Sequence, residues 1–234
     1  MIFNVGLKKQ TVTFLDYFLP RFCVSCSNRL SPEQEIICAD CLGKIEKAST
    51  ERIIHEYDRK FKDKQIINEF FSLFIFEKDK ELQNAIHALK YNNKFKVGIF
   101  LGKLLGLELQ KFHPEWQIDL IIPIPLHQLK KAERGFNQSF YIAKGLGKKL
   151  NSDVKDNIVK RIKYTESQTT MKITERKENI SGAFKIRAQK SLRGKNILIV
   201  DDVITTGATI SECGIILKNA GVQNIYAASI AIAE

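Results

Sequence analysis

Apolar residues follow two rhythms along this chain. Leu82, Ala85, Ile86 and Leu89 recur at three- and four-residue intervals, which predicts an amphipathic helix over Leu82–Lys90. Val97, Leu101, Leu104, Leu105 and Leu109 predict a second helix over Val97–Phe112. Phe70–Phe76, Asp119–Pro125, Asn196–Val200 and Ile225–Ala233 read as strands, and the wholly apolar ones suit a sheet buried on both faces. Asn137 can cap a helix with Phe140, Ala143, Leu146 and Leu150 facing inward. A last helix, Thr209–Ala220, keeps Ile210, Cys213 and Leu217 on its core face and stops at Gly221. Strand and helix alternate from residue 119 onward, which predicts an α/β domain with a parallel sheet flanked by helices. The stretch Lys44–Asn68 reads as a polar connection.

Cysteine placement adds a second unit. Cys23, Cys26, Cys38 and Cys41 form C-x₂-C…C-x₂-C, with eleven residues between the pairs. Each pair can bring two thiolates to one metal from a tight knuckle, and two knuckles complete a tetrahedral Zn²⁺ site. Four thiolates leave no open position, so the zinc is expected to be structural. A disulfide framework needs an oxidising compartment, and a redox C-x-x-C does not come twice. The division expected is a zinc-ribbon module at residues 1–50 and an α/β domain at 51–234. Cys213 stands apart on a predicted core face, as a small buried hydrophobe.

The formal charge is +11, and its placement matters more than its size. Residues 127–195 hold 18 Lys/Arg against 6 Asp/Glu, a local +12 that leaves the rest of the chain at −1. Such a block fits a polyanionic partner, and it equally fits a solvated surface. Arg134, Arg161, Lys163 and Arg176 are its candidate phosphate contacts, because arginine grips phosphate bidentately. Phe136, Tyr141, Tyr164 and Phe184 lie among the cations, as stacking on a single strand requires, although Phe136 and Phe184 are of a type more often found in cores. No run approaches the roughly 18 apolar residues of a membrane span, and Asp16 interrupts the apolar N-terminus, so a cytoplasmic protein is expected.

The most informative segment is Ile197-Leu-Ile-Val-Asp-Asp-Val-Ile-Thr-Thr-Gly-Ala-Thr209. A buried strand delivers Asp201 and Asp202 to its C-terminal edge, where ligands bind in open α/β sheets. A loop of Thr205, Thr206, Gly207, Ala208 and Thr209 then opens into a helix, whose free N–H groups suit an anion. Gly207 would let the backbone close on a phosphate, three threonine hydroxyls can donate to it, and paired carboxylates suit the vicinal hydroxyls of a ribose. The plainer alternative is a strand–turn–helix whose threonine merely caps the helix. No Walker A loop or dinucleotide fingerprint is present.

Val200–Thr209 resembles the signature of type I phosphoribosyltransferases. The resemblance implies that the loop holds a 5-phosphate and that Asp201 and Asp202 meet the ribose of phosphoribosyl pyrophosphate, partly through Mg²⁺. It also implies that Pro123, Ile124 and Pro125 occupy the place of a pyrophosphate-contacting loop. The cysteines, Ala88–Tyr91, Pro123–Leu126, Glu133–Gln138, Gln168, Arg176, Asn179–Phe184 and the phosphate loop together resemble the ComF family of competence proteins. That resemblance implies a zinc ribbon on a type I phosphoribosyltransferase-like α/β fold and a role in handling incoming single-stranded DNA, with the DNA-uptake machinery as a possible partner. The other reading is an active Mg-dependent transferase acting on a nitrogen nucleophile. A glutamine-dependent amidotransferase does not fit, because residue 2 is Ile and the cysteines are spaced for metal.

Overall fold

The computed structural model describes residues 19–164, 180–187 and 192–233. Its centre is a five-stranded parallel sheet, β1 (Glu69–Ile75), β2 (Leu120–Pro123), β3 (Asp153–Val154), β6 (Asn196–Ile204) and β7 (Asn224–Ile232), in the order β1-β7-β6-β2-β3. β4 (Val159–Arg161) and β5 (Phe184–Ile186) make a separate antiparallel pair. Side chains alternate across the sheet. Ile121, Leu198, Val200 and Ala228 enter one hydrophobic cluster, whereas Ile122, Ile197, Ile199 and Ala227 enter the other.

The first cluster lies under α3 (Glu81–Tyr91), α4 (Phe95–Phe112) and α6 (Gln138–Leu150). Helices α4 and α6 pack backbone to backbone. A Cβ on Gly102 would run into the Ile142 carbonyl, and one on Gly145 into that of Ile99. The second cluster is closed by α7 (Ala208–Asn219) and by Phe61, which follows α2 (Thr50–Lys60). Residues 23–45, with the short α1 (Ala39–Lys44), add Cys23, Leu30, Ile37, Cys38, Cys41 and Ile45 to the first cluster. Ser25 Oγ donates to the Glu81 carbonyl at 3.0 Å, and Asn84 Nδ2 donates to the Ser25 carbonyl at 3.0 Å, which fastens the cysteine segment to α3.

The structure departs from the sequence reading in three places. Lys44–Asn68 is not a bare connection, because Ser49 caps α2 and Tyr57 and Phe61 pack beneath it. In α6 Ile142, Ala143 and Leu146 are the apolar side chains that are buried, whereas Phe140 and Leu150 are half-buried and Lys144 lies over the Phe140 ring. Strand β6 also runs four residues beyond Val200, because β7 continues beside it and pairs Asp201 with Ser229 and Ile204 with Ile232. Among the described residues no helix is long and apolar enough to cross a membrane.

Candidate phosphate site and metal centre

From β2 the chain passes outward to β3, and from β6 it passes the other way to β7. The crevice between β2 and β6 is therefore the topological switch point of the sheet. β2 stops at Pro123, opposite Val200, so Asp201 and Asp202 come just past its last residue. Both are only partly accessible. Asp201 Oδ1 accepts from Ser139 Oγ at 2.9 Å and from the Asp202 N–H at 2.9 Å. Asp202 Oδ1 accepts from the Val203 N–H at 2.7 Å, and its Oδ2 lies 2.8 Å from Lys90 Nζ.

The two carboxyls titrate apart. Burial, reinforced by the neighbouring Asp202 charge, pushes Asp201 up to about 7. Burial alone would raise Asp202 as well, but the Lys90 ammonium, the Val203 N–H and Arg134 outweigh it and hold this carboxyl below its ordinary value. Arg161, depressed by its own burial, is close enough to Asp201 to feel the charge. Lys130 is likewise depressed by burial and then by Arg161 and Arg134. Three cations, Lys90 from α3, Arg134 from α5 (Gln128–Arg134) and Arg161 from β4, thus act on the two aspartates, and Lys130 lies near enough to feel all three.

The threonine loop follows directly. Thr205 is exposed, Thr206 and Thr209 are half-buried, and Gly207 caps α7. The structure gives Gly207 a reason the sequence did not show. Its φ is +73°, and a Cβ there would lie 2.8 Å from Phe61 Cε1 and 3.1 Å from Lys60 Cβ, so α2 braces the loop from behind. Ala208 is buried at the first position of α7, and its N–H reaches Thr206 Oγ1 at 3.4 Å.

Pro123, Ile124 and Pro125 lie across from the acid pair and are buried. The N–H of Ile124 is already given to the Val200 carbonyl at 2.9 Å, and its carbonyl accepts from Asn137 Nδ2 at 3.0 Å. Any anion contact from this loop has to come from residues after Pro125, since proline has no N–H. Of the four cations singled out from the sequence, Arg134 and Arg161 reach the acid pair. Lys163 instead donates to the Ser181 carbonyl at 2.6 Å, and Arg176 lies outside the described residues, as do Gln168 and Asn179. Phe136 and Phe184 are core residues.

Sequence reasoning missed Lys90, Ser139 and Gln138 as members of the site. Lys90 had a signal, since it is polar at the end of an otherwise apolar helix face. Gln138 and Ser139 are buried beside the Asn137 cap, and Gln138 Nε2 is buried with no hydrogen-bond partner among the described residues. An orphaned donor of this kind costs about 1–3 kcal/mol. One residue before Ser139, which bonds Asp201, it fits a site that takes an oxygen-rich ligand with a divalent cation.

Near the start of α3, the sulfurs of Cys23, Cys26, Cys38 and Cys41 all lie within 4.8 Å of one another, with Cys26 and Cys38 3.8 Å apart. Zinc–sulfur bonds of about 2.3 Å put the corners of a tetrahedron about 3.8 Å apart, so the four cysteines are grouped closely enough that they could hold a metal ion. The N–H of Cys38 donates to Cys23 Sγ at 3.3 Å and that of Cys41 to Cys38 Sγ at 3.5 Å. Burial alone would raise Cys23, but N–H groups of Cys38, Cys26 and Ser25 overcome it and bring the thiol to about 6. Burial and the adjacent sulfurs push Cys41 up. Packed this closely, the thiols cannot all ionise unless a cation shares their charge.

Residues 137–233 match the phosphoribosyl transferase domain family. Competence protein F of Haemophilus influenzae is 33% identical over 148 residues, 62% of this chain and 65% of that protein. Competence protein ComFC of Bacillus subtilis is 25% identical over 206 residues, 86% of this chain and 81% of that protein. The chain is a phosphoribosyltransferase-like protein of the ComF family. Another relative of this ComF chain, DNA utilization protein YhgH of Escherichia coli strain K12, is 32% identical over 142 residues, 59% of the chain and 62% of its own length. The matches to the Haemophilus and Escherichia proteins span a little under two thirds of each.

Proposed function

We propose that this ComF-family chain is an accessory protein of DNA uptake that binds phosphoribosyl pyrophosphate or a related ribose phosphate, and single-stranded DNA on its basic face. The observation that carries the reading is the crevice itself, where a threonine loop at a helix start adjoins two aspartates within the field of Lys90, Arg134 and Arg161. The 5-phosphate sits over Thr205–Thr209, at the α7 N-terminus. Asp201 and Asp202 take the ribose hydroxyls and share Mg²⁺, which neutralises charge on the pyrophosphate. Residues 1–50 form a module organised by structural zinc, and 51–234 form the ligand-binding domain. The names of the relatives, competence and DNA utilization, agree with a cytoplasmic role next to the uptake machinery.

A second reading, an active transferase acting on a nitrogen nucleophile, is favoured by one feature. The cations that act on the acid pair are also where a departing pyrophosphate would be received. Two titrations separate the readings. In calorimetry, the double variant Asp201→Asn/Asp202→Asn should lose affinity for phosphoribosyl pyrophosphate with Mg²⁺ far more than for inorganic phosphate. Equal binding by wild type and variant rejects the ribose assignment. In low-salt filter binding, wild type should retain single-stranded DNA, with a salt slope of roughly −0.7 per phosphate contact. No retention, together with pyrophosphate release on adding a nucleobase or amine, replaces the accessory reading with the enzyme.

A further inference from the structure

We infer that helix α5, with Tyr91 beyond its C-terminal end and Tyr164 beside its first turn, is the track on which a single strand lies: Lys130 and Arg134 take successive phosphates and the two tyrosine rings stack on unpaired bases. This deepens the single-stranded DNA reading above and rests on it.

Three observations carry the inference. Lys130 and Arg134 are four residues apart on α5, so they share one face and stand about 6 Å apart along the axis. Each cation has an aromatic partner at its own end of the helix. Arg134 Cζ lies 5.5 Å from the centre of the Tyr91 ring, and Lys130 Nζ lies 5.8 Å from that of Tyr164. Both rings are open to solvent, with Tyr91 57% and Tyr164 45% exposed, although large aromatics are usually covered. Each ring is also held from the side by a histidine, His87 at 4.7 Å from Tyr91 and His127 at 5.3 Å from Tyr164, which orients it without hiding it.

The chemistry selects the ligand. Exposed rings backed by cations stack with a base of any identity, which is how strands are bound without sequence preference. A duplex keeps its base faces inside and could use only the cations. Glu133, the acid of the same helix turn, is the local charge opposing a strand.

The test uses the full chain, oligo(dT) and an abasic strand of equal length in low-salt filter binding. Wild type should prefer oligo(dT). Tyr91→Leu and Tyr164→Leu should each weaken oligo(dT) binding about tenfold, the worth of one base–aromatic stack, while binding the abasic strand as wild type does and keeping the salt slope. Tyr91→Phe and Tyr164→Phe should restore the preference, which separates loss of the ring from loss of folding. Leucine variants that bind oligo(dT) like wild type, or that lose both strands alike, overturn the inference and leave the DNA reading standing. A wild type that binds neither strand sinks both.

Discussion

The Lys90 ammonium lies 2.8 Å from Asp202 Oδ2, so a side chain from α3 compensates one aspartate of the pair at the end of β6, whereas Asp201 has no ion pair with a lysine or arginine among the described residues. Asp201 is instead held by a serine hydroxyl and a backbone N–H. Lys90 bonds one carboxyl and not the other, which makes the pair asymmetric, with Asp202 held ionised and Asp201 ready to take a proton or share a metal. A divalent cation entering the crevice meets a carboxyl whose negative charge is not yet balanced.

Removing that cation should therefore be costly in a way that metal can repair. Lys90→Gln leaves Asp202 facing Asp201 in a partly dry site, and is expected to cost about 2 kcal/mol, less than a fully buried pair because both side chains retain some access to water. Thermal melts with and without Mg²⁺ check this. The variant should melt below wild type in chelator, and most of the difference should close when Mg²⁺ is added.

The raised Asp201 gives a pH dependence of definite sign. Its folded value, about 7, lies above the ordinary 3.8, so the folded state binds this proton more tightly than the unfolded one. The stability it contributes is complete below pH 3.8 and is lost as pH rises through about 7. Asp201→Asn, which mimics the protonated carboxyl, should thus be more stable than wild type above pH 7 and lose that advantage in acid. Denaturant titrations across this range measure the crossover, and saturating Mg²⁺ should remove it. A variant advantage that grows toward low pH contradicts the assignment.

Much of this site was legible in the chain, because its signals are local. A strand, two acids, a threonine loop and a helix are contiguous from Ile197 to Asn219, and the spacing of the four cysteines points to the cluster that the fold brings together. What was hidden comes from elsewhere in sequence. Lys90 reaches Asp202 from α3, Ser139 reaches Asp201 from the start of α6, and Phe61 sets the floor beneath Gly207. Periodicity says which face of a helix is buried, but it does not say which strand end the helix terminus will meet. The basic block shows the same limit, since Lys163 spends its charge on a carbonyl of a neighbouring turn, while Arg134 lies over the Tyr91 ring with its charge still felt at Asp202.

Gln138 offers a direct contrast between stability and ligand binding. Its Nε2 is buried without a partner among the described residues, so Gln138→Met, similar in length and without the orphaned donor, should stabilise the free protein by about 1 kcal/mol, or roughly 2–4 °C in melting temperature for a chain of this size. If the donor is kept for an oxygen of the ligand, the same variant should bind phosphoribosyl pyrophosphate with Mg²⁺ about tenfold more weakly. Melting curves and calorimetry on one preparation read both effects. A stabilised variant with undiminished binding would show that Gln138 serves no ligand.

The cysteine cluster should hold one Zn²⁺ per chain, and its loss should be felt well beyond residues 23–41. Cys23, Cys38 and Cys41, with Leu30 and Ile37 between them, belong to the same hydrophobic cluster as Phe71, Leu82 and Leu89. Unfolding that segment uncovers the flank of α3, the helix that carries Lys90 and Tyr91. Cys38→Ser removes the thiolate that accepts the Cys41 N–H and sits 3.8 Å from Cys26, so the tetrahedron cannot close. Metal analysis of protein purified under reducing conditions should find zinc near one equivalent in wild type and little in the variant. Because the two regions share a core, the variant should melt at a lower temperature as a whole, and it should bind the ribose ligand more weakly through displaced Lys90. Wild type without zinc ends the metal assignment. A variant that loses zinc yet melts and binds like wild type would show that the segment stands apart from the α/β domain.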